Sequence, residues 1–259
     1  MTSVASEPKE KEFRGHFSEL LKVEGKLALR EPTGIGVAIG APIIFVVIFG
    51  LIGIASPGNV PNTNYTVLDL YVPVIMVIVF IFLGVAALPV TLVRYREMGW
   101  LRRVSVTPVP PLRLLAAQLV VYLALALAAV LIVIFGSELI FGAALDVGIL
   151  YFVLSLVLSI AVIFSLGLVV AAVAPSQSVT TALTGGLTFL MLFLSGLWIP
   201  PATVGGPLAT IMYYSPAGAA VQALLNSAFN TAPPLTAILT MVAYTVVFAL
   251  VAIRYFRWE

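Results

Sequence analysis

Six long apolar stretches limit this chain more than any other feature of its sequence. They occupy residues 34–55, 70–93, 112–135, 147–174, 178–197 and 235–253. A helix of about 20 apolar residues crosses the hydrocarbon core of a bilayer, which is roughly 30 Å thick. Only 9% of the residues are charged, against about 25% in a soluble domain. We therefore predict an all-α membrane protein with six transmembrane helices, which forms a single domain over residues 1–259 and contacts membrane lipid.

The basic residues predict the orientation of these helices. All thirteen Lys and Arg lie in three regions, with six in residues 9–30, five in residues 94–113 and two in the tail. The other connecting segments contain none: 56–69, 137–146 and 198–234. Six crossings put the two sets of segments on opposite sides of the membrane, and short basic segments face the cytoplasm. Both termini are therefore expected in the cytoplasm.

Two charged segments are predicted to lie along the membrane surface. Residues 9–31 combine charges with apolar residues near helical spacing, which is typical of an amphipathic interfacial helix; the alternative is a soluble helix. Residues 94–109 form a second, arginine-rich helix. Pro108 ends that helix, because it forces Thr107 out of the α region. We expect this surface helix to contact a cytoplasmic partner; the alternative is a solvated basic loop.

The segment 198–234 is too apolar for a solvated linker and too interrupted by proline and glycine to span the membrane. We predict two short helices there, over residues 206–214 and 217–229, which dip into the outer leaflet and return. Irregular backbone at membrane depth must be buried against protein or line a wet cavity. This prediction therefore requires that the two helices pack against the spans.

Several kinds of chemistry are excluded by the composition. The chain contains no cysteine and one histidine, so a thiolate or multi-histidine metal site cannot form. It lacks the glycine-rich phosphate loop with its lysine, and no ionisable residue lies in the middle of a span, where a proton relay would need one. We expect a protein that is not itself an enzyme, binds no cofactor and no nucleic acid, and takes the energy for any transport from a partner.

A threonine ridge is predicted on the fifth span. Thr180, Thr184 and Thr188 recur every four residues, so they share one helix face. Small, weakly polar residues let membrane helices approach closely. The ridge fits a dimer seam or the wall of a cavity, with Phe189 beside it, and the alternative is packing within one subunit.

Three motifs together carry a family resemblance. They are Arg30-Glu31-Pro32 before the first span; Arg96-Glu97-x-Gly99-x-Leu101-Arg102-Arg103 with Val106-Thr107-Pro108-Val109 after the second; and Ser195-Gly196-Leu197-Trp198-Ile199-Pro200 with Tyr214-Ser215-Pro216 after the fifth. This combination resembles the permease subunit of ABC-2 type exporters, which include bacterial drug- and antibiotic-efflux permeases. The chain departs from the family pattern at one position, since it has Arg102 where many relatives carry an acid.

The resemblance implies a complete transporter assembly. Residues 9–31 would be a connecting helix, and residues about 96–106 a coupling helix that docks on a separate ABC ATPase subunit, which carries the ATP and Mg²⁺. Two permeases, identical or close paralogues, would join two ATPases in a bacterial plasma membrane. The substrates implied are amphiphilic drugs, antibiotics or lipids; the alternatives are polysaccharide or glycolipid export, or a membrane scaffold without transport.

The same resemblance assigns residues to two sites. The ATPase-coupling residues are Arg96, Glu97, Gly99, Leu101, Arg102, Arg103, Thr107 and Pro108. The residues that cap the exit side are Trp198, Pro200, Tyr214 and Pro216. No catalytic and no metal-binding residue is expected.

Overall fold

The computed structural model describes residues 22, 25–27, 36–55, 58, 60, 65–98, 111–143 and 145–255. In this part of the chain the regular structure is helical, and the only β pairing is an isolated bridge between Asp146 and Phe229. The prediction of an all-α fold is confirmed for these residues. The helices, in chain order, are α1 (Ala41–Ala55), α2 (Val67–Glu97), α3 (Pro111–Phe141), α4 (Ile149–Val173), α5 (Gln177–Leu194), α6 (Pro201–Val204), α7 (Gly206–Tyr213), α8 (Pro216–Ala228) and α9 (Leu235–Tyr255).

Five of these helices are long and apolar enough to cross a bilayer, namely α2, α3, α4, α5 and α9. The shorter apolar helix α1 has 15 residues and follows directly on a π-helical turn, Gly36–Gly40. Four spans predicted from apolar runs, at 70–93, 147–174, 178–197 and 235–253, thus coincide with helices within a few residues of each end. The predicted first span, 34–55, coincides with the π-helical turn and α1.

The boundaries of α2 and α3 differ most from the prediction. Helix α2 begins at Val67 because Thr66 and Asp69 form a capping box, in which Asp69 Oδ2 accepts from Thr66 N at 2.8 Å. The predicted loop 137–146 is wrong over its first half, since α3 continues to Phe141. Ser137 donates its hydroxyl to Ile134 O at 3.0 Å within that helix, and the apolar residues 139–141 prolong it.

Helix α2 lies at the centre of the bundle. Every side chain from Val72 to Ile81 is buried, whereas α9 has only Ala237, Met241 and Ala252 buried. Outer helices with apolar exposed faces are expected where lipid is the solvent. The core is thus organised around the helix that leads into the arginine-rich segment.

A close helix crossing joins α2 to α4. A π-helical segment, Phe82–Ala87, interrupts α2 at this level. A Cβ atom on Gly167 would collide with the carbonyl oxygen of Gly84, and one on Gly84 would lie 2.7 Å from the ring of Phe164. The two backbones can therefore meet because Gly167 has no side chain, and Gly84 leaves room for the Phe164 ring.

Both short helices predicted between the fifth and last spans are present. Helix α8 is buried along most of its length and packs on α4 and α9. Ser155 Oγ on α4 lies 2.8 Å from Ser227 Oγ and 3.2 Å from Ala223 O. Helix α7 precedes it and is mostly exposed. The requirement that α8 be buried against protein is met.

Candidate functional site

The last two turns of α2 carry side-chain bonds to three other helices. Two of these bonds join α2 to α3: Thr91 Oγ1 lies 2.9 Å from Tyr122 OH, and Gln118 Nε2 donates to Tyr95 OH at 3.1 Å. Thr91 and Tyr95 are four residues apart, as are Gln118 and Tyr122. The pairs therefore match along one face of each of two antiparallel helices.

Arg96 follows Tyr95 on α2 and bonds the C-terminal end of α4. Its guanidinium donates to Ala171 O at 3.3 Å and to Ala174 O. Helix α4 ends at Val173, and the last carbonyls of a helix have no partner within it. A cation at a helix C-terminus also complements the macrodipole. Arg96 thus satisfies backbone groups that α4 leaves unpaired.

Glu97, the last residue of α2, holds the beginning of α5. Its Oε1 accepts a hydrogen bond from Gln177 N at 2.9 Å. Gln177 is the first residue of α5, where amides lack partners within the helix and negative charge is favourable. Ser176 supports this end as N-cap, since its Oγ accepts from Val179 N at 3.4 Å.

Two adjacent residues therefore bridge two helix ends of opposite polarity. We call Arg96, Glu97 and their backbone partners Ala171, Ala174 and Gln177 the Arg96–Glu97 clamp. It closes around the tight turn 174–176 that connects α4 to α5. The clamp fixes this turn to the base of α2.

Most of the predicted coupling residues lie outside the described residues: Gly99, Leu101, Arg102, Arg103, Thr107 and Pro108. The same is true of most of the predicted interfacial helix 9–31, of which residues 22 and 25–27 are helical. Because α2 ends at Glu97 and α3 starts at Pro111, the segment 99–110 joins two helices whose ends are bonded to each other. Arg96 and Glu97 are the two predicted coupling residues that the structure describes, and they lie at one site.

The threonine ridge lies on the buried face of α5. Thr180, Thr184 and Thr188 are all buried within the subunit. Thr180 donates to Ser176 O at 2.7 Å and Thr184 to Thr181 O at 3.2 Å, while Thr188 Oγ1 is buried with no partner among the described residues. Phe189 is 66% exposed on the other side of the helix and contacts the Trp198 ring, with centroids 5.4 Å apart. The ridge packs within one subunit, and the exposed face of α5 carries Phe189.

The predicted exit-side residues are divided between the surface and the core. Trp198, Pro200 and Tyr214 are exposed, whereas Pro216 is buried in the first turn of α8. Ser215 caps that helix by accepting from Gly218 N at 2.9 Å. Three of these four residues are therefore on the surface, and one is in the core.

An apolar groove opens between α3 and α4. Its volume is about 400 Å³. Its lining is aliphatic apart from one phenylalanine and one serine, and comprises Leu119, Leu123, Leu127, Leu156, Val157, Ile160, Ala161, Phe164, Ser165 and Leu168. The serine hydroxyl is already bonded to Val162 O at 2.9 Å. The groove thus offers a surface for hydrocarbon and no free polar group.

Sequence reasoning did not identify the bonds between α2 and α3. A signal was present, because Gln118 and Tyr122 are polar residues four apart in an apolar span, and Thr91 and Tyr95 match them. The π-helical segment of α2 has no comparable signal. No group of three acidic, histidine or cysteine side chains that could hold a metal occurs in the described part of the chain.

Five long apolar helices, of which the central one, α2, is largely buried, define a multi-pass α-helical membrane protein. The family model for the ABC-2 type transporter matches residues 16–229, so the chain belongs to the ABC-2 type transporter family. The resemblance to ABC-2 type permeases inferred from the three motifs is thereby confirmed at the level of the family. Members of this family form the membrane component of a transporter and normally work with an ABC ATPase partner. A comparison with curated proteins found no match.

Proposed function

We propose that this protein is the transmembrane permease subunit of an ATP-driven ABC exporter. A separate ATPase subunit, which binds ATP and Mg²⁺, would dock on the segment 99–110. The observation that carries this proposal is the bracing of the two helices that flank the segment. Thr91 and Tyr95 on α2 are bonded to Tyr122 and Gln118 on α3, so a force applied to the segment acts on a joined pair of helices.

We further propose a six-span topology in a bacterial plasma membrane, with both termini in the cytoplasm. Helix α1 with its preceding π-helical turn would supply the sixth crossing. In this topology Arg94, Arg96 and Arg254 lie at the cytoplasmic ends of α2 and α9, whereas Glu138 and Asp146 lie on the other side. That distribution follows the preference of basic residues for cytoplasmic segments.

The remaining elements have roles in the same proposal. Residues 9–31 would form the connecting helix, and α7 and α8 would cap the exit side in the outer leaflet. The burial of α8 against α4 supports a position at membrane depth, where broken backbone must be covered by protein. A second permease copy, identical or a close paralogue, would complete the exporter, with the exposed face of α5 around Phe189 available to it.

The proposed substrates are amphiphilic drugs, antibiotics or lipids. The groove between α3 and α4 supports this class, because its aliphatic lining suits a hydrocarbon portion. A polysaccharide would favour aromatic residues along its path, and Phe164 is the one aromatic side chain in this lining. The groove therefore favours an amphiphile over a polysaccharide.

Co-purification from native membranes tests the function. We expect the tagged wild-type protein to retain an ATPase subunit, and Leu101→Asp in the segment 99–110 to lose it, because a charged side chain cannot fill an apolar slot on a partner. Leu139→Asp is the matched control, since Leu139 is 80% exposed near the other end of α3. A wild type without an ATPase would support a scaffold instead, and retention by Leu101→Asp would reject docking at this segment.

A further inference from the structure

We propose that Arg96 and Glu97 are positioning residues that transmit movement of the segment 99–110 to α4 and α5, and that they do not themselves bind the ATPase. The inference rests on the proposed function, since it requires a partner that moves the segment. It assigns these two residues a different role from the docking contact that the family resemblance implies. The observation behind it is the Arg96–Glu97 clamp.

Arg96 and Glu97 bond main-chain groups, and such bonds couple them to the helix backbone itself. Arg96 bonds the carbonyls of Ala171 and Ala174, and Glu97 bonds the amide of Gln177. Side chains at a helix surface can rotate without moving the helix. Backbone groups cannot, so a displacement of α2 through these bonds must displace the ends of α4 and α5 themselves.

The position of the clamp in the chain connects it to the segment 99–110. Glu97 is the last residue of α2, and the segment begins two residues later. A pull on the start of the segment therefore reaches Glu97 through covalent bonds. The clamp would pass that pull to the turn 174–176, while the bonds from Thr91 and Tyr95 pass it to α3.

A second contact between α2 and α4 lies deeper in the bundle. The close approach of Gly84 and Gly167 occurs within the π-helical segment Phe82–Ala87. Irregular π-helical turns often mark functional positions within helices. The glycine contact holds the two helices together above the clamp, so the parts of α2 and α4 below it form a unit that can tilt about this contact.

Both clamp side chains already have partners within the subunit, which argues against a docking role. The Arg96 guanidinium donates to two carbonyls, and Glu97 Oε1 accepts a hydrogen bond from one amide. A direct contact with a second protein would have to displace bonds to charged groups, which are stronger than those between neutral groups.

The test uses the complex of permease and ATPase in lipid nanodiscs. The chain has no native cysteine, so a single Ser178→Cys, at an exposed position in the first turn of α5, reports on that helix end alone. Its rate of reaction with a maleimide is measured without nucleotide and with ATP, Mg²⁺ and vanadate. The variants are Arg96→Ala and Glu97→Ala, with Arg254→Ala and Glu138→Ala as exposed controls of the same charge.

We expect the nucleotide to change the labelling rate in the wild type and in both controls. Arg96→Ala and Glu97→Ala should reduce that change about tenfold, since each removes a charge-assisted bond, while retaining the ATPase at wild-type stoichiometry. Arg96→Lys should restore part of the response, because one ammonium reaches one carbonyl where the guanidinium reaches two. A purely structural role would instead lower the thermal stability of the variants and leave the nucleotide-dependent change in labelling rate at its wild-type size.

Two outcomes would overturn the inference. Loss of the ATPase from the clamp variants but not from the controls would mean that Arg96 and Glu97 bind it directly. A wild-type response in both clamp variants would mean that the clamp transmits nothing. A wild type that brings no ATPase would instead reject the proposed function, so the two failures are distinguishable.

Discussion

The two ends of the bundle are held together in different ways. At the end of the bundle where α2 terminates, which we call the base, α2 is joined to α3, α4 and α5 by a few directional bonds. They come from Thr91, Tyr95, Arg96 and Glu97. At the opposite end, α8 is packed into the bundle through small buried residues. The main-chain amide of Gly148 also bonds Ser227 O at 3.1 Å, and the Tyr65 ring stacks on that of Phe229.

This difference separates a part that can move from a part that is fixed. Four of these five bonds lie at partly buried or exposed helix ends, where they can exchange with water and be remade in a second arrangement; the bond between Thr91 and Tyr122 is buried. Close packing of small residues has no such second arrangement, because interiors are dense and resist deformation. The bundle is therefore built as a rigid upper part around α8 and a lower part whose helices move together through the clamp.

The largest effect is expected where the rigid part is most tightly packed. A Cβ atom on Gly218 would collide with the carbonyl oxygen of Met212 and lie 3.1 Å from Leu194 O. Gly218→Val should therefore destabilise the protein by about 3 kcal/mol or prevent folding, as measured by thermal unfolding in detergent. Gly186→Val is the control, because a Cβ there has no neighbour within 4 Å. Equal stability of the two variants would contradict the rigid upper part.

A smaller effect is expected from the serine pair that holds α8 on α4. Ser155→Ala removes the bonds to Ser227 Oγ and Ala223 O and should lower the free energy of unfolding by about 1–2 kcal/mol. Ser178→Ala, at an exposed position on α5, should change it by less than about 0.5 kcal/mol. A loss as small for Ser155→Ala as for the control would show that small-residue packing alone holds α8.

The two regions were also not equally predictable from the sequence. The upper helices followed from the proline and glycine pattern of the segment 198–234, and α8 begins at Pro216, one residue from its predicted start. Proline and glycine act on their own backbone, so their effect is local. Their pattern therefore indicates the helices directly.

The base could be predicted only in part. The periodicity of Thr180, Thr184 and Thr188 correctly places them on one face, but periodicity does not say whether that face meets lipid, a second copy or the subunit interior. Arg96 and Glu97 were identified as a motif, yet their partners are backbone groups of residues about eighty positions away. Every residue has such groups, so the sequence carries no sign of which ones are used.

The end of α3 shows a third limit to what the sequence can predict. Ser137 and Glu138 indicated a polar loop, but the helix continues to Phe141, and the Ser137 hydroxyl is satisfied within it by Ile134 O. Serine favours such local bonds in and around helices. A polar residue at the end of an apolar run therefore does not by itself mark the end of the helix.

The smallest effect is expected at the base, from the bond between Thr91 and Tyr122. Hydrogen bonds between membrane helices contribute on average about 0.6 kcal/mol, so Thr91→Val and Tyr122→Phe should each lower stability slightly. A double-mutant cycle isolates the pair, because the two hydroxyls lie 2.9 Å apart. We expect a coupling free energy of about 0.6 kcal/mol, measured by reversible unfolding in mixed micelles. The same cycle on Thr91→Val and Gln118→Leu, whose side chains bond different partners, should give a smaller value.

A coupling above about 2 kcal/mol at Thr91 and Tyr122 would make the base as rigid as the upper part. The contrast between a movable and a fixed end would then fail, because α2 and α3 would be too firmly joined for their bond to be remade.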